Sequence, residues 1–351
     1  MYPFQSSLKY KPIIFCQYII LLIFISYSLP ILAEPKRTII PTEKVSIQLK
    51  WLHAFQFAGY YAAKEKGFYA DEGLEVELKP RIPRVNNIEQ VLNGKSEYGI
   101  ADTGLLQDRL KGKPVVLLAS IFQHNPIVYF TLKSSGITTP YQFKGKRVMD
   151  NLYGSASLRA MLYEAGISSE EFTHINHTFN INDLINGKVD AFSDYLTNQP
   201  YSFRQKNIEI NIIDPRNYGI DFLGDNLFTT EAEIRQHPER VRRFLRATLK
   251  GWDYALKHSD EIINLILKKY NADKRLSKQH LRFEANETIK MIVPDSIPLG
   301  NTSSKRFLRI AQTYQQLGLV KSLDNLKGFI YLSTEQQSLN LSSEEKAWLQ
   351  A

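Results

Sequence analysis

The stretch Val45-Ser46-Ile47-Gln48-Leu49-Lys50-Trp51-Leu52-His53-Ala54-Phe55-Gln56-Phe57-Ala58-Gly59-Tyr60-Tyr61 opens a segment that runs on to Leu74-Glu75-Val76-Glu77-Leu78. Val45, Ile47 and Leu49 alternate as a half-buried strand does, and Leu74, Val76 and Leu78 repeat the pattern after a helical stretch and a glycine stop. This is one βαβ unit. Trp51, His53, Phe55, Gln56, Phe57, Tyr60 and Tyr61 crowd the carboxyl end of its first strand, where open α/β sheets bind small molecules. Ligand chemistry is expected at that turn.

Toward the N-terminus, Lys9 and Lys11 precede an apolar run from Ile13 to Leu32 that ends in Ile31-Leu32-Ala33. Residues 1–33 read as a secretory signal peptide cleaved after Ala33, or as an uncleaved inner-membrane anchor, since the run is almost long enough to span a bilayer. Both place the rest of the chain in the periplasm, free or anchored. The one cysteine, Cys16, lies inside the run, so the mature part has no disulfide, thiolate metal site or cysteine nucleophile. The net charge of +8 is spread through mixed-sign segments such as Arg235 to Lys257, and no nucleic acid is expected as a partner.

Beyond the leader, the length suits two lobes of roughly 100 to 150 residues each. Helix Ile88 to Leu92, strand Tyr98 to Ala101 and strand Val115 to Ser120 continue the alternation, with parallel pairing as the natural outcome. After Ser134-Ser135-Gly136 a second series begins: strand Arg147 to Met149, helix Ser157 to Glu164, and strands Thr173 to Asn176 and Val189 to Phe192. An internal echo joins the halves. Val91-Leu92-Asn93-Gly94-Lys95 and Leu184-Ile185-Asn186-Gly187-Lys188 share one helix ending, and the strand after each delivers Asp102 in one half and Asp194-Tyr195 in the other. The expected divisions are residues 44–133 plus 228–332 for lobe 1, 134–227 for lobe 2, and a tail over 333–351.

From Asp221 to Phe228 the chain crosses back, and long helices follow. Thr230 and Glu233 have capping-box spacing. Val241, Phe244, Leu245, Thr248, Trp252, Ala255 and Leu256 form a helical stripe whose role is core packing. A helix from Phe307 to Leu317 is expected to pack on the first lobe.

Leu49 to Tyr61, Gly112-Lys113-Pro114-Val115-Val116, Phe122-Gln123-His124-Asn125-Pro126, Tyr218-Gly219-Ile220-Asp221-Phe222 and Glu231 to Val241 together resemble the exported substrate-binding proteins for thiamine pyrimidine precursors. That wider family includes alkanesulfonate binders and the eukaryotic thiamine pyrimidine synthase. The resemblance implies a type II periplasmic binding protein, α/β, with two lobes of mixed sheet around a ligand cleft. It also brings in sensory regions that precede signalling modules. Leu341 to Leu349 resembles the linker that opens a second domain in such receptors, and it equally suits an ordinary C-terminal helix.

The expected ligand is a flat pyrimidine-like heterocycle, with an ABC permease or a signalling receptor as the protein partner. Trp51, Phe57 and Tyr60 could supply ring faces, Asp102, Asp194 and Asp225 acceptors for an exocyclic amine, and Gln123, His124, Tyr195, Asn198 and Gln199 mixed polar contacts. One departure stands out: relatives often carry glutamate before the proline where this chain has Gln199-Pro200, and an amide cannot pair with a cation. Synthase chemistry, as the resemblance implies it, needs a Schiff-base lysine and a cysteine-rich iron site. The aligned strand end reads Gly99-Ile100-Ala101-Asp102, without lysine, and Gly224 to Phe228 has no cysteine. No catalytic residue and no cofactor is therefore assigned. His174 and His177 lie three apart without an evident third ligand, so no metal site is assigned there either.

Overall fold

A computed structural model describes residues 42–151 and 155–332. The leader over 1–33, with Cys16, and the tail over 333–351 lie outside the described residues. The first lobe runs β1 (Glu43–Gln48), α1 (Ala58–Glu65), α2 (Phe68–Asp71), β2 (Leu74–Lys79), α3 (Asn87–Leu92), β3 (Tyr98–Ala101), α4 (Gly104–Leu110) and β4 (Val115–Phe122). The second runs β5 (Ile127–Leu132), β6 (Arg147–Asp150), α5 (Ala156–Glu164), β7 (Thr173–Asn176), α6 (Asn182–Ile185), β8 (Ala191–Tyr195), α7 (Gln199–Gln205) and β9 (Ile210–Ile213). The chain then returns through β10 (Gly224–Thr230), α8 (Glu231–Gln236), α9 (Pro238–Lys257), α10 (Ser259–Lys269), α11 (Lys278–Ile292) and α12 (Ser304–Gln316).

The opening stretch forms the unit its periodicity predicts. β1 lies parallel to β2 from Glu43 opposite Leu74 to Gln48 opposite Lys79, and parallel to β3 on its other side. The two sheets have strand orders β2-β1-β3-β10-β4 and β7-β6-β8-β5-β9. Both are mixed. β10 enters the first sheet antiparallel between β3 and β4, and β5 enters the second antiparallel between β8 and β9. The parallel pairing expected for Val115 to Ser120 is therefore corrected to antiparallel. β4 is buried along its whole length, and such an apolar run gives no sign of strand direction.

The lobe divisions shift for the same reason. Ile127–Leu132 pairs in the second sheet although the expected boundary kept it in lobe 1, and β10 of the first sheet begins at Gly224, before the expected residue 228. Ser134-Ser135-Gly136 marks a tight turn after β5, with Gly136 at φ 69°, and not a passage between lobes. The crossovers lie on either side of the second lobe and touch, with the Asn125 amide donating to the Phe222 carbonyl at 2.8 Å.

The internal echo has a structural counterpart. Gly94 and Gly187 both adopt left-handed φ, at 66° and 67°, and the amides of Lys95 and Lys188 donate to the Gln90 and Asp183 carbonyls at 2.8 Å each. Thr230 caps α8 by accepting from the Glu233 amide at 3.1 Å. The apolar face of α9, including Val241, Phe244, Thr248 and Trp252, is buried against α1. Closeness depends on two glycines here: a Cβ at Gly59 would meet the Trp252 ring at 2.2 Å, and one at Gly251 would meet the Gly59 carbonyl at 2.2 Å. α12 packs on α4 of the first lobe, as expected, and also on α5 of the second, so it braces both. Among the described residues no helix is long and apolar enough to cross a membrane.

Candidate functional site

A cavity of about 420 Å³ opens between the lobes at the carboxyl ends of β1 and β3 and beside the end of β8. Its floor is a charge cluster. Lys50 lies just past β1, and its Nζ pairs with Asp102 Oδ1 and, at 2.8 Å, with Asp225 Oδ1. Tyr195, the last residue of β8, accepts from Lys50 and donates to Asp102 Oδ1 at 2.8 Å and Asp225 Oδ1 at 3.3 Å. Gln56 Nε2 donates to Asp225 Oδ2 at 2.8 Å. The cluster thus ties three strands of the first sheet to one strand of the second.

Burial decides its electrostatics. The side chains of Lys50 and Asp225 are only 9% and 2% exposed. Burial alone would depress the lysine, but the Asp102 and Asp225 carboxylates outweigh it and hold the ammonium above its ordinary value. Burial pushes Asp225 up, with the Asp102 charge adding and Lys50 opposing. Burial and both carboxylates keep Tyr195 a phenol. Asp225 also sits at a left-handed φ of 45°, Arg84 at 62° and Phe179 at 60°. Strained non-glycine backbone at a cavity is a hallmark of functional sites.

The walls carry rings and polar groups. Trp51 and Phe179 meet across the cleft with centroids 5.0 Å apart, and the Arg81 guanidinium carbon lies 4.8 Å and 4.5 Å from their rings. Asp194 accepts from the Tyr195 amide and from Gln199 Nε2, each at 2.7 Å, while burial lifts its carboxyl above the usual range. His177 donates from Nε2 to the Ser193 carbonyl at 2.5 Å and accepts at Nδ1 from the Phe179 amide at 2.9 Å. Both ring nitrogens are engaged, and His174 turns to Asp150 at 2.9 Å. Among the described residues, Ser155 Oγ, Ser193 Oγ and Gln199 Oε1 are buried without a hydrogen-bond partner. Such groups cost free energy unless something else satisfies them.

Trp51, Asp102, Asp194, Tyr195, Asn198 and Gln199 are thus brought together at the cavity, and Asp225 lies directly beneath its floor. The remaining four candidates lie elsewhere. Phe57 is fully buried in the first-lobe core, and Tyr60 faces Trp252 edge-on at 5.8 Å, because the helix that begins at Ala58 turns this side inward. Gln123 donates to the Ser120 and Asn301 carbonyls at 3.0 and 3.1 Å, and His124 meets Asp221 at 2.8 Å. Both serve the crossovers. Sequence patterns do not single out Lys50, Arg81, Ser155, His177, Phe179 or Ser193 as cavity residues. For Lys50 a signal exists: Ser46, Gln48 and Lys50 form the polar phase of a central strand, and a central strand of a covered sheet has no solvent face.

A second buried group crosses the cleft. Glu284 of α11 accepts from the Phe55 amide at 2.9 Å and from Asn198 Nδ2 of the second lobe. Beside it Tyr201 stacks on His280 at 4.5 Å, and Arg204 lies 4.4 Å over Phe283. Burial, only partly offset by these donors, raises Glu284 to about 7.

The family model described as NMT1/THI5 like matches residues 54–262. The chain belongs to the NMT1/THI5-like family. This NMT1/THI5-like chain is 28% identical over 245 residues to the riboflavin-binding protein RibY of Chloroflexus aurantiacus, covering 67% of itself and 69% of that protein. Over 231 residues it is 24% identical to the formylaminopyrimidine-binding protein of Halalkalibacterium halodurans, with 64% and 70% covered. It is also 27% identical over 242 residues to the 4-amino-5-hydroxymethyl-2-methylpyrimidine phosphate synthase THI13 of Saccharomyces cerevisiae, with 61% and 68% covered. Its fold is that of the periplasmic aliphatic sulphonate binding protein SsuA of Escherichia coli, at a TM-score of 0.62 and 14% identity, covering 86% of this chain and 96% of that one. The NMT1/THI5-like chain therefore has the two-lobed binding-protein fold, and its similarity to relatives named as binding proteins supports a solute-binding role.

Proposed function

We propose that this chain is an exported solute-binding protein that closes on a flat heterocycle of the aminopyrimidine class and presents it to an ABC permease. One observation carries the reading: two rings, Trp51 and Phe179, tilted at 47° to each other, share a cavity with Ser155 Oγ, Ser193 Oγ and Gln199 Oε1, buried atoms with no partner among the described residues. An aminopyrimidine complements that set. Its exocyclic amine donates to Gln199 Oε1 or Asp194, its ring nitrogens accept from the hydroxyls, and its faces meet the rings. The flavin ring system carries a fused pyrimidine edge, and the relative named for riboflavin makes flavin the competing ligand.

Binding without chemistry fits Lys50. Two carboxylates keep it protonated, and an ammonium is not a Schiff-base nucleophile. Closure would be the signal: Tyr195 to Asp102, Trp51 to Phe179 and Asn198 to Glu284 are contacts that an open cleft would lose. Export rests on the leader read in residues 1–33. The permease is favoured over a signalling partner by the relatives named as binding proteins. The test is a thermal-shift panel of hydroxymethyl- and formylamino-pyrimidines, riboflavin, alkanesulfonates and pyridoxal phosphate. A pyrimidine at roughly 100 times its Kd should stabilise the fold by about 2.7 kcal/mol. Stabilisation by pyridoxal phosphate alone, with a yellow adduct, would replace the reading with the synthase.

A further inference from the structure

Arg81 differs from the other half-buried arginines. Arg109 pairs with Glu231 at 2.5 Å, Arg216 with Asp214 at 2.5 Å and Arg240 with Glu233 at 2.6 Å. Among the described residues Arg81 has no carboxylate partner, although it lines the cavity and burial alone pulls its guanidinium below the ordinary arginine value. Its place is set by the backbone. The Arg81 amide donates to the Trp51 carbonyl at 3.0 Å, and Gln48 Nε2 holds the preceding Pro80 carbonyl at 3.0 Å. Trp51 and Phe179 engage the guanidinium, but ring contacts do not use all its N–H donors. Arg84, three residues on, lines the same cavity without an acid partner among the described residues, on left-handed backbone.

The floor carboxylates are not partners of these cations: Asp102 and Asp225 are held by Lys50, Tyr195 and Gln56. The Asp108 carboxylate is held by Lys113 at 3.2 Å, and Asp194 accepts from the Gln199 amide and the Tyr195 backbone, with no ion pair to either arginine among the described residues. Two arginines therefore line the cavity without a carboxylate partner among the described residues, which leaves guanidinium donors for what enters. Guanidinium donors in a fixed fork suit phosphate and carboxylate oxygens.

We propose that Arg81 and Arg84 form an oxyanion subsite at the cavity mouth, so that the preferred ligand is a flat heterocycle bearing a phosphate or similar anionic substituent. This rests on the heterocycle-binding reading and adds a selectivity to it. The test is calorimetry of the whole chain with two matched pairs: 4-amino-5-hydroxymethyl-2-methylpyrimidine against its monophosphate, and riboflavin against its 5′-phosphate. The quantity read is the affinity ratio within a pair, which cancels general damage to the ring site. A charge-assisted contact predicts a ratio of roughly tenfold or more in favour of the ester. The ratio should fall toward unity in Arg81→Met, which keeps the apolar stem, and shrink in Arg84→Gln, whose exposed side chain is safe for folding. It should also shrink as salt rises.

Binding of both members at equal strength, or tighter binding of the neutral one, overturns the subsite and leaves the proposed function standing. An ester preference that survives both substitutions overturns it as well, since the anion would then lie elsewhere. Failure of all four compounds to bind rejects the proposed function and the subsite with it.

Discussion

The floor and the mouth of the cavity carry the same kind of charge and use it differently. At the floor, Lys50 is enclosed by Asp102, Asp225 and Tyr195, so its charge is answered within the chain and both carboxylates have partners there. At the mouth, Arg81 has ring faces for company and Arg84 has open solvent, and among the described residues neither has an acid partner. A charge answered internally belongs to the architecture. A charge left with donors to spare, beside rings from both lobes, is suited to a ligand.

The sharpest way to break this contrast is Lys50→Met. It leaves Asp102 close to the buried Asp225 without their shared cation, and removing one partner of a buried pair costs about 3–5 kcal/mol. Urea denaturation at pH 7 should show that loss, with partial recovery as acid protonates the carboxylates. A variant as stable as the parent would mean that the floor is not a structural ion cluster.

Glu284 offers the next largest effect. Its folded value of about 7 lies above the usual glutamate value, so the folded state holds a proton that the unfolded chain releases earlier. The stabilising effect of that proton is complete below the unfolded value near 4.5 and is lost as pH rises through about 7. The loss is on the order of 3 kcal/mol. Stability measured from pH 4.5 to 8 should fall across that window in the parent and stay level there in Glu284→Gln, after the shared contribution of other groups is subtracted. Parallel curves would refute the buried acid at the cleft.

Much of this architecture is legible in the amino-acid sequence. The first βαβ unit, the paired asparagine-glycine helix ends and the α9 stripe follow from local rules of period and turn chemistry, and they stand where the sequence predicts them. Trp51 and Phe57 show where legibility stops. Both sit in one aromatic turn, but Trp51 lies well before the helix and reaches the cleft, whereas Phe57, the residue just ahead of α1, is buried in the first-lobe core. Composition does not separate them; their place relative to the helix does. β10 is hidden for a different reason. A strand that arrives from far along the chain to lie between β3 and β4 leaves no local mark, and the floor contact between Asp225 and Lys50 is hidden with it. Arg81 reads as an ordinary loop cation until Trp51 and Phe179 are seen around it.

At the mouth, Trp51→Ala should leave the urea midpoint nearly unchanged while weakening ligand by roughly 1–3 kcal/mol, since it removes one ring face. Unchanged affinity in a titration would reject the ring slot. The smallest expected effect is that of Phe179→Gly. It relieves left-handed backbone that is unfavourable for a bulky residue and adds chain entropy, so stability should move by under about 1 kcal/mol while affinity falls. A large loss of stability there would place Phe179 in the architecture, with the floor.

The most direct measurement is a calorimetric titration of the chain with 4-amino-5-hydroxymethyl-2-methylpyrimidine and its phosphate ester, riboflavin and its phosphate in parallel. Saturable one-to-one binding of at least one of these rings, lost or strongly weakened in Trp51→Ala, is the predicted result. No saturable heat from any of them at millimolar concentration would contradict a receptor for flat heterocycles, whatever the fold resembles.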